Sequence, residues 1–178
     1  DDLVGRLAAR LQANPGDAQG WVLLARSYTA LGRPRDAAAA WKQAVTRAPN
    51  GAIYASQYGE ALVESENGLV TQEALRQFDA ARTADPADPR AWFYAGMAKA
   101  QAGDSREAVQ TWTDLVAMSA QDAPWLDMVR DQIRRTAGEA KIDLAAIRPS
   151  PQAQATAPAQ PATPIGPPVT TPGSGARG

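Results

Sequence analysis

Residues 20–49 read GWVLLARSYTALGRPRDAAAAWKQAVTRAP, and this stretch decides the fold. Two helix-forming runs flank Leu31-Gly32-Arg33-Pro34. Gly32 suits the left-handed turn that ends a helix, and Pro34 suits the first position of the next one. Large residues (Trp21, Leu24, Tyr28, Trp41) alternate at helical spacing with small ones (Ala25, Ala37, Ala44). Antiparallel helices approach closely only where the facing side chains are small, so the stretch predicts a tight helical hairpin whose bulky residues fill the space beside it.

The pattern recurs with a period of about 34 residues. With Trp21 at position 4 of a unit, Leu24, Ala25, Tyr28, Ala37, Trp41, Ala44 and Pro49 fall at positions 7, 8, 11, 20, 24, 27 and 32. This resembles a tetratricopeptide repeat, with Ala25 standing where that repeat has glycine. A second unit keeps Gly59, Ala74, Phe78, Ala81 and Pro86 if about three residues are inserted near Asn67-Gly68-Leu69. A third has Trp92, Gly96, Ala108 and Trp112, but Lys99 for the tyrosine, Leu115 for the second alanine and Ala120 for the proline. The predicted fold class is therefore all-α: a solenoid of about three helical hairpins with capping helices at both ends. Helices are expected near 17–31, 34–47, 51–64, 71–84, 88–102 and 105–118. Asp17, Thr71 and Asp104 are predicted N-caps, with Glu107 completing a capping box with Asp104. Leu3, Leu7 and Leu11 predict a leading helix, and Pro124, Trp125, Met128, Val129 and Ile133 an amphipathic closing one, with a further short helix over 139–147.

Composition breaks at Arg148. From Pro149 to Gly178 there are eight of the 14 prolines, six alanines and one charged residue, Arg177. Ile165 and Val169 are the sizeable apolar groups there, too few to offset the entropy of ordering a chain. The expected organisation is a helical-repeat domain over 1–148 and a disordered Pro/Ala-rich tail over 149–178, whose removal should leave cooperative unfolding intact. The opening Asp1-Asp2 suggests a fragment of a longer protein, with any targeting segment or membrane anchor upstream.

The chemistry available is narrow. The chain has no His and no Cys, which removes the common metal ligands, thiol nucleophiles and histidine bases. Lys+Arg 18 against Asp+Glu 19 leaves a net charge of -1, with no basic stripe for nucleic acid or acidic membrane. The acidic pairs Asp1-Asp2, Glu64/Glu66 and Asp85/Asp88 fall at a chain end or at predicted turns, where solvation or capping explains them. No Gly-rich phosphate loop precedes a helix. Trp21, Trp41, Trp92 and Trp112 sit at packing positions, and Trp125 is open between packing and contact with a partner. No catalytic residue, metal site or cofactor is expected.

Function is then expected on the concave face, lined by the first helix of each hairpin. The candidate groove residues are Gln19, Val22, Arg26 and Thr29 from the first unit, and Ser56, Gln57, Glu60 and Val63 from the second. The third unit adds Arg90, Phe93, Tyr94, Met97 and Gln101. An apolar stripe (Val22, Val63, Phe93, Met97) beside separated charges (Arg26, Glu60, Arg90) suits an amphipathic helix laid in a groove.

A narrower resemblance rests on Asn-Pro-Gly-Asp (14–17), Gly-Trp-Val-Leu-Leu-Ala-Arg-Ser-Tyr (20–28), Leu-Gly-Arg (31–33), Asn-Gly-Leu-Val-Thr-Gln-Glu-Ala (67–74), Asp-Pro-Arg-Ala-Trp (88–92) and Ala-Pro-Trp (123–125). Over roughly residues 3 to 135 the chain resembles the periplasmic repeat domain of the bacterial cytochrome c maturation family CcmI, also called CycH. That resemblance implies a non-catalytic periplasmic chaperone, anchored in the inner membrane by its missing front part. It would capture apocytochrome c by its C-terminal amphipathic helix and deliver it to the haem-ligation complex. The alternatives are a general protein-interaction scaffold, an assembly factor for another exported complex such as nitrite reductase, and an enzyme. Without soft ligands or an activated nucleophile, the protein should retain no stoichiometric zinc or iron after dialysis; metal analysis of the dialysed protein checks this.

Overall fold

The computed structural model describes residues 2–158, and these contain helices and turns with no strand. A leading helix α1 (Asp2–Ala13) precedes three hairpins: α2 (Ala18–Ala30) with α3 (Pro34–Arg47), α4 (Ala55–Ser65) with α5 (Gln72–Ala84), and α6 (Pro89–Gln101) with α7 (Ser105–Met118). Then come α8 (Leu126–Ala140) and a short α9 (Pro151–Thr156). Each hairpin packs on the next through α3 against α4 and α5 against α6, and α8 closes the far end on α7. This is the tetratricopeptide-type solenoid expected from the repeat.

The small positions act as predicted. Ala25, Ala37 and Ala44 are fully buried in the first hairpin. A methyl added at Gly59 would stand 2.7 Å from the Phe78 ring, and one at Gly96 would stand 2.2 Å from Nε1 of Trp112. These two glycines are therefore sockets for the bulky residues of the partner helix. Trp112 uses the close approach to donate its indole N–H to the Phe93 carbonyl at 2.9 Å. A second regularity recurs outside the sockets: Trp21 donates to the Pro15 carbonyl at 3.0 Å and Trp92 to the Pro86 carbonyl at 2.8 Å. Each indole thus ties its helix to the turn before it and satisfies the one polar group of an otherwise apolar ring.

Boundary signals hold in most places. Asp17 and Thr71 accept from the backbone N–H groups of Gly20 and Ala74, and Pro34 and Pro89 open their helices. Gly32 and Gly103 take φ of 64 and 89, as the hairpin turns require. Four expectations need correction. The box of Asp104 with Glu107 does not form: Asp104 makes no side-chain cap bond, and the Glu107 carboxylate instead lies 3.7 Å from the Lys99 ammonium. The helix expected over 51–64 opens with a 3₁₀ turn, Gly51–Tyr54, because Gly51 is pressed so close to the Val45 carbonyl that an added methyl would lie 1.9 Å from it. No separate helix covers 139–147, since α8 runs on to Ala140 and stops at left-handed Lys141, followed by a 3₁₀ turn at Leu144–Ala146.

The fourth correction concerns the boundary at Arg148. Ordered packing continues past it: Ser150 caps α9, its own N–H donates to the Asp114 carboxylate at 2.7 Å, and Ala153 is buried. Gln110 bridges the same Asp114 and the Arg148 carbonyl, at 3.0 and 2.8 Å. With Ile147 packed against Val109 and Ala137, residues 147–156 form a strap over the outer side of α7. Composition missed it because the strap's stability comes from a buried carboxylate and two backbone groups, with little apolar area of its own. The rest of the expected tail, 159–178, lies outside the described residues.

Two tests follow from this packing. Gly96→Ala should lower stability by about 1–3 kcal/mol, whereas Gly5→Ala, with open space at its methyl and a helix-interior position, should be neutral or stabilising by up to about 1 kcal/mol; thermal or urea unfolding of both checks the socket. Truncation after Arg148 and Asp114→Ala should each lower the unfolding free energy by about 1–3 kcal/mol, and together cost less than their sum because both break the same strap, which denaturant melts of the two variants and their combination measure.

Candidate functional site

The inner surface is built from the first helices of the hairpins, and two adjoining cavities open along it. The first, about 280 Å³, lies between α2 and α4. Arg26 and Thr29 come from α2, Trp41 forms part of the wall, and Gln57, Glu60 and Glu64 come from α4. The second, about 430 Å³, lies between α6 and α8. Pro89, Phe93 and Tyr94 of α6 face Trp125, Met128 and Val129 across it. Glu60 and Arg90 line both.

That shared wall is an ion pair between neighbouring hairpins, Arg90 Nε to Glu60 Oε2 at 2.6 Å, with both side chains partly exposed. Tyr94 donates its hydroxyl to the other Glu60 oxygen at 3.3 Å. Burial first, and then the Glu60 charge, hold the Tyr94 phenol well above the usual tyrosine range, so it stays a neutral donor. Glu64, one turn along α4 from Glu60, makes no ion pair among the described residues. Burial pushes its carboxyl up, the neighbouring Glu60 charge adds to this, and Arg90 opposes it. Deeper in hairpin two, Tyr58 donates to Glu73 at 2.7 Å; burial and that carboxylate raise its phenol as well, and the pair is structural.

The apolar cavity is preorganised by aromatic packing. Phe78 stacks on Tyr94 with centroids 4.9 Å apart, Tyr94 meets Phe93 edge-on at 5.3 Å, and Phe93 stacks on Trp112 at 6.2 Å. Phe93 is thereby held with part of its ring facing the cavity, at no further rotamer cost on binding. Opposite it, Met128 is 52% exposed, a flexible thioether suited to irregular apolar surfaces.

The structure brings together only part of the predicted groove. Arg26, Thr29, Gln57 and Glu60 meet in the first cavity, and Glu60, Arg90, Phe93 and Tyr94 in the second. Val22 and Val63 do not belong to the surface: they are 4% and 3% exposed and pack between hairpins, so the apolar stripe drawn through them is corrected to the α6–α8 cavity. Ser56, 2% exposed, is buried against Gln57, to which it donates at 3.2 Å. Met97 packs between the second and third hairpins. Gln101 is committed to the inserted loop, donating to the Gly68 carbonyl at 2.7 Å and accepting from the Val70 N–H at 3.0 Å. Gln19 is exposed but lines neither cavity. Missed by the periodicity were Trp41, which belongs to a second helix, and the α8 wall, which belongs to no repeat. The Ala-Pro-Trp at 123–125 was the available signal for that wall.

Among the described residues no group of three or more acidic residues is placed to hold a metal, and no helix is long and apolar enough to cross a membrane.

Comparison with known proteins agrees with the repeat geometry. The family model described as cytochrome c-type biogenesis protein H TPR domain matches residues 1–125. The chain is 33% identical over 138 residues to cytochrome c-type biogenesis protein CycH of Bradyrhizobium diazoefficiens, covering 78% of this chain and 37% of that protein. It is 38% identical over 135 residues to CycH of Rhizobium meliloti, covering 76% and 35%. To CycH of Pseudomonas aeruginosa it is 28% identical over 157 residues, covering 88% and 38%. The chain thus spans little more than a third of the length of these relatives. It belongs to the cytochrome c-type biogenesis protein H TPR family, and its relatives are proteins of cytochrome c biogenesis.

Proposed function

We propose that this domain is a non-catalytic chaperone of cytochrome c maturation whose concave groove holds the C-terminal amphipathic helix of apocytochrome c. The observation that carries the reading is the apolar cavity of about 430 Å³ between α6 and α8, in which a held aromatic, Phe93, faces an exposed methionine, Met128. A helical segment docks such a groove by inserting a few apolar anchors, while polar groups at the rim fix its orientation. The Glu60–Arg90 pair and the exposed Arg26 supply those rim groups. Family membership supports the pathway, and the chain's lack of His and Cys leaves covalent haem attachment and thiol chemistry to its partners. On this reading the domain works in the periplasm, hands its client to the haem-ligation complex, and belongs to a parent protein anchored in the inner membrane.

Calorimetric titration of a C-terminal apocytochrome c helix peptide, against a scrambled peptide of equal composition, tests the proposal. The native peptide should bind at micromolar or better affinity and the scrambled one should not. Phe93→Ala should weaken binding by about 1–2 kcal/mol, near tenfold, with a thermal melt run alongside because Phe93 also packs on Trp112. Equal binding of both peptides overturns the proposal in favour of a general scaffold.

A further inference from the structure

Resting on the groove reading above, we infer that α8 is a wall of the recognition surface as well as a cap, and that it selects a helical partner carrying a large apolar side chain beside a lysine or arginine. The first observation is the orientation of α8. Leu126 and Val129 are buried, as a capping helix requires, and a free outer face would ordinarily be polar. Met128 instead stands exposed at the cavity, with Trp125 beside it and Phe93 and Tyr94 across from it. The match to the family model ends at residue 125, so Met128 and Val129 lie outside it while lining the α8 side of the apolar cavity.

The second observation is charge. Immediately beside the apolar cavity, Glu60 and Glu64 share the lining with Arg26 and Arg90, and the pairing is uneven. Arg90 is already engaged by Glu60 at 2.6 Å, and Glu64 has no ion-pair partner among the described residues. Arg26 lines the same cavity from α2 but makes no ion pair with Glu64. A basic side chain reaching past the Glu60–Arg90 pair gives Glu64 the ion-pair partner it lacks, and its aliphatic stem can lie along the Trp41 edge of the cavity. An acidic side chain there would add a third carboxylate.

The methionines make the test direct, since the chain has only three, Met97, Met118 and Met128. Methyl-labelled methionine spectra of the full chain are recorded with two probes. One is the apocytochrome helix peptide. The other is a designed amphipathic helix with one phenylalanine anchor and a lysine four residues away, also made with glutamate in place of the lysine. The Met128 methyl should shift with peptide while that of Met118, which lines neither cavity, stays put. Met128→Ala should weaken binding about five- to tenfold, and the lysine peptide should outbind the glutamate peptide by a margin that Glu64→Gln removes. A peptide that binds without moving Met128, or a glutamate peptide that binds as well as the lysine one, overturns this inference and leaves the apocytochrome reading standing. If the designed lysine peptide moves Met128 while the apocytochrome peptide does not bind, the inference holds and the client reading falls; if neither binds, both fall.

Discussion

The closeness of the two helices in each hairpin is the constraint from which the rest of the molecule follows. At Gly59 and Gly96 the backbone of the first helix is met directly by the ring of the second, with no room for even a methyl group. Those contacts set how far Phe78 and Trp112 penetrate the seam, and their depth sets where the rings of Tyr94 and Phe93 come to rest. The groove is therefore a by-product of core packing. Phe93 presents itself to the concave side because Trp112 behind it has nowhere else to go. Interiors packed at this density transmit small displacements, so a change in a socket glycine is felt at a groove residue on the other face of the same helix.

Electrostatics acts differently on the two surfaces. Most ion pairs are local, three or four residues apart along one helix and well exposed, such as Arg33 with Asp36 and Arg82 with Asp79, and such pairs contribute little to stability. The Glu60–Arg90 pair joins separate hairpins, takes a hydrogen bond from Tyr94, and sits where both cavities meet. Its position makes it a partition in the groove, dividing an apolar half from a polar half. The outer surface carries one buried carboxylate, Asp114, and its bonds from Ser150 and Gln110 are made to the strap that finishes the solenoid. Charge thus joins neighbouring hairpins on the inside and fastens the strap on the outside.

The two ends of the solenoid are solved in different ways. At the front, α1 buries Leu11 completely against the first hairpin while Leu3 stays exposed. At the back, α8 and the strap share the task, α8 covering Trp112 and Leu115 through Val129, and the strap covering Val109 through Ile147. With the cap split this way, Met128 on α8 stays exposed and lines the cavity opposite α6.

What the sequence by itself determined is whatever depends on residue type at a helical period. The hairpins, their turns at Gly32 and Gly103, the caps at Asp17 and Thr71, the opening prolines and the helical closing segment are all local consequences of side-chain size, backbone freedom and capping chemistry, and one chain suffices to read them. So is the exclusion of thiol and histidine chemistry. The tertiary structure alone decided which side of each first helix is surface. Val22 and Val63 occupy the repeat positions read from the sequence as groove lining, yet each is taken into a core cluster once the helices pack, at 4% and 3% exposure. It also decided that Gln101 braces a loop and that Asp114 holds the strap, because both bonds join residues more than 30 positions apart. Periodicity reports on neighbours along a helix; partners that distant meet only once the helices have stacked.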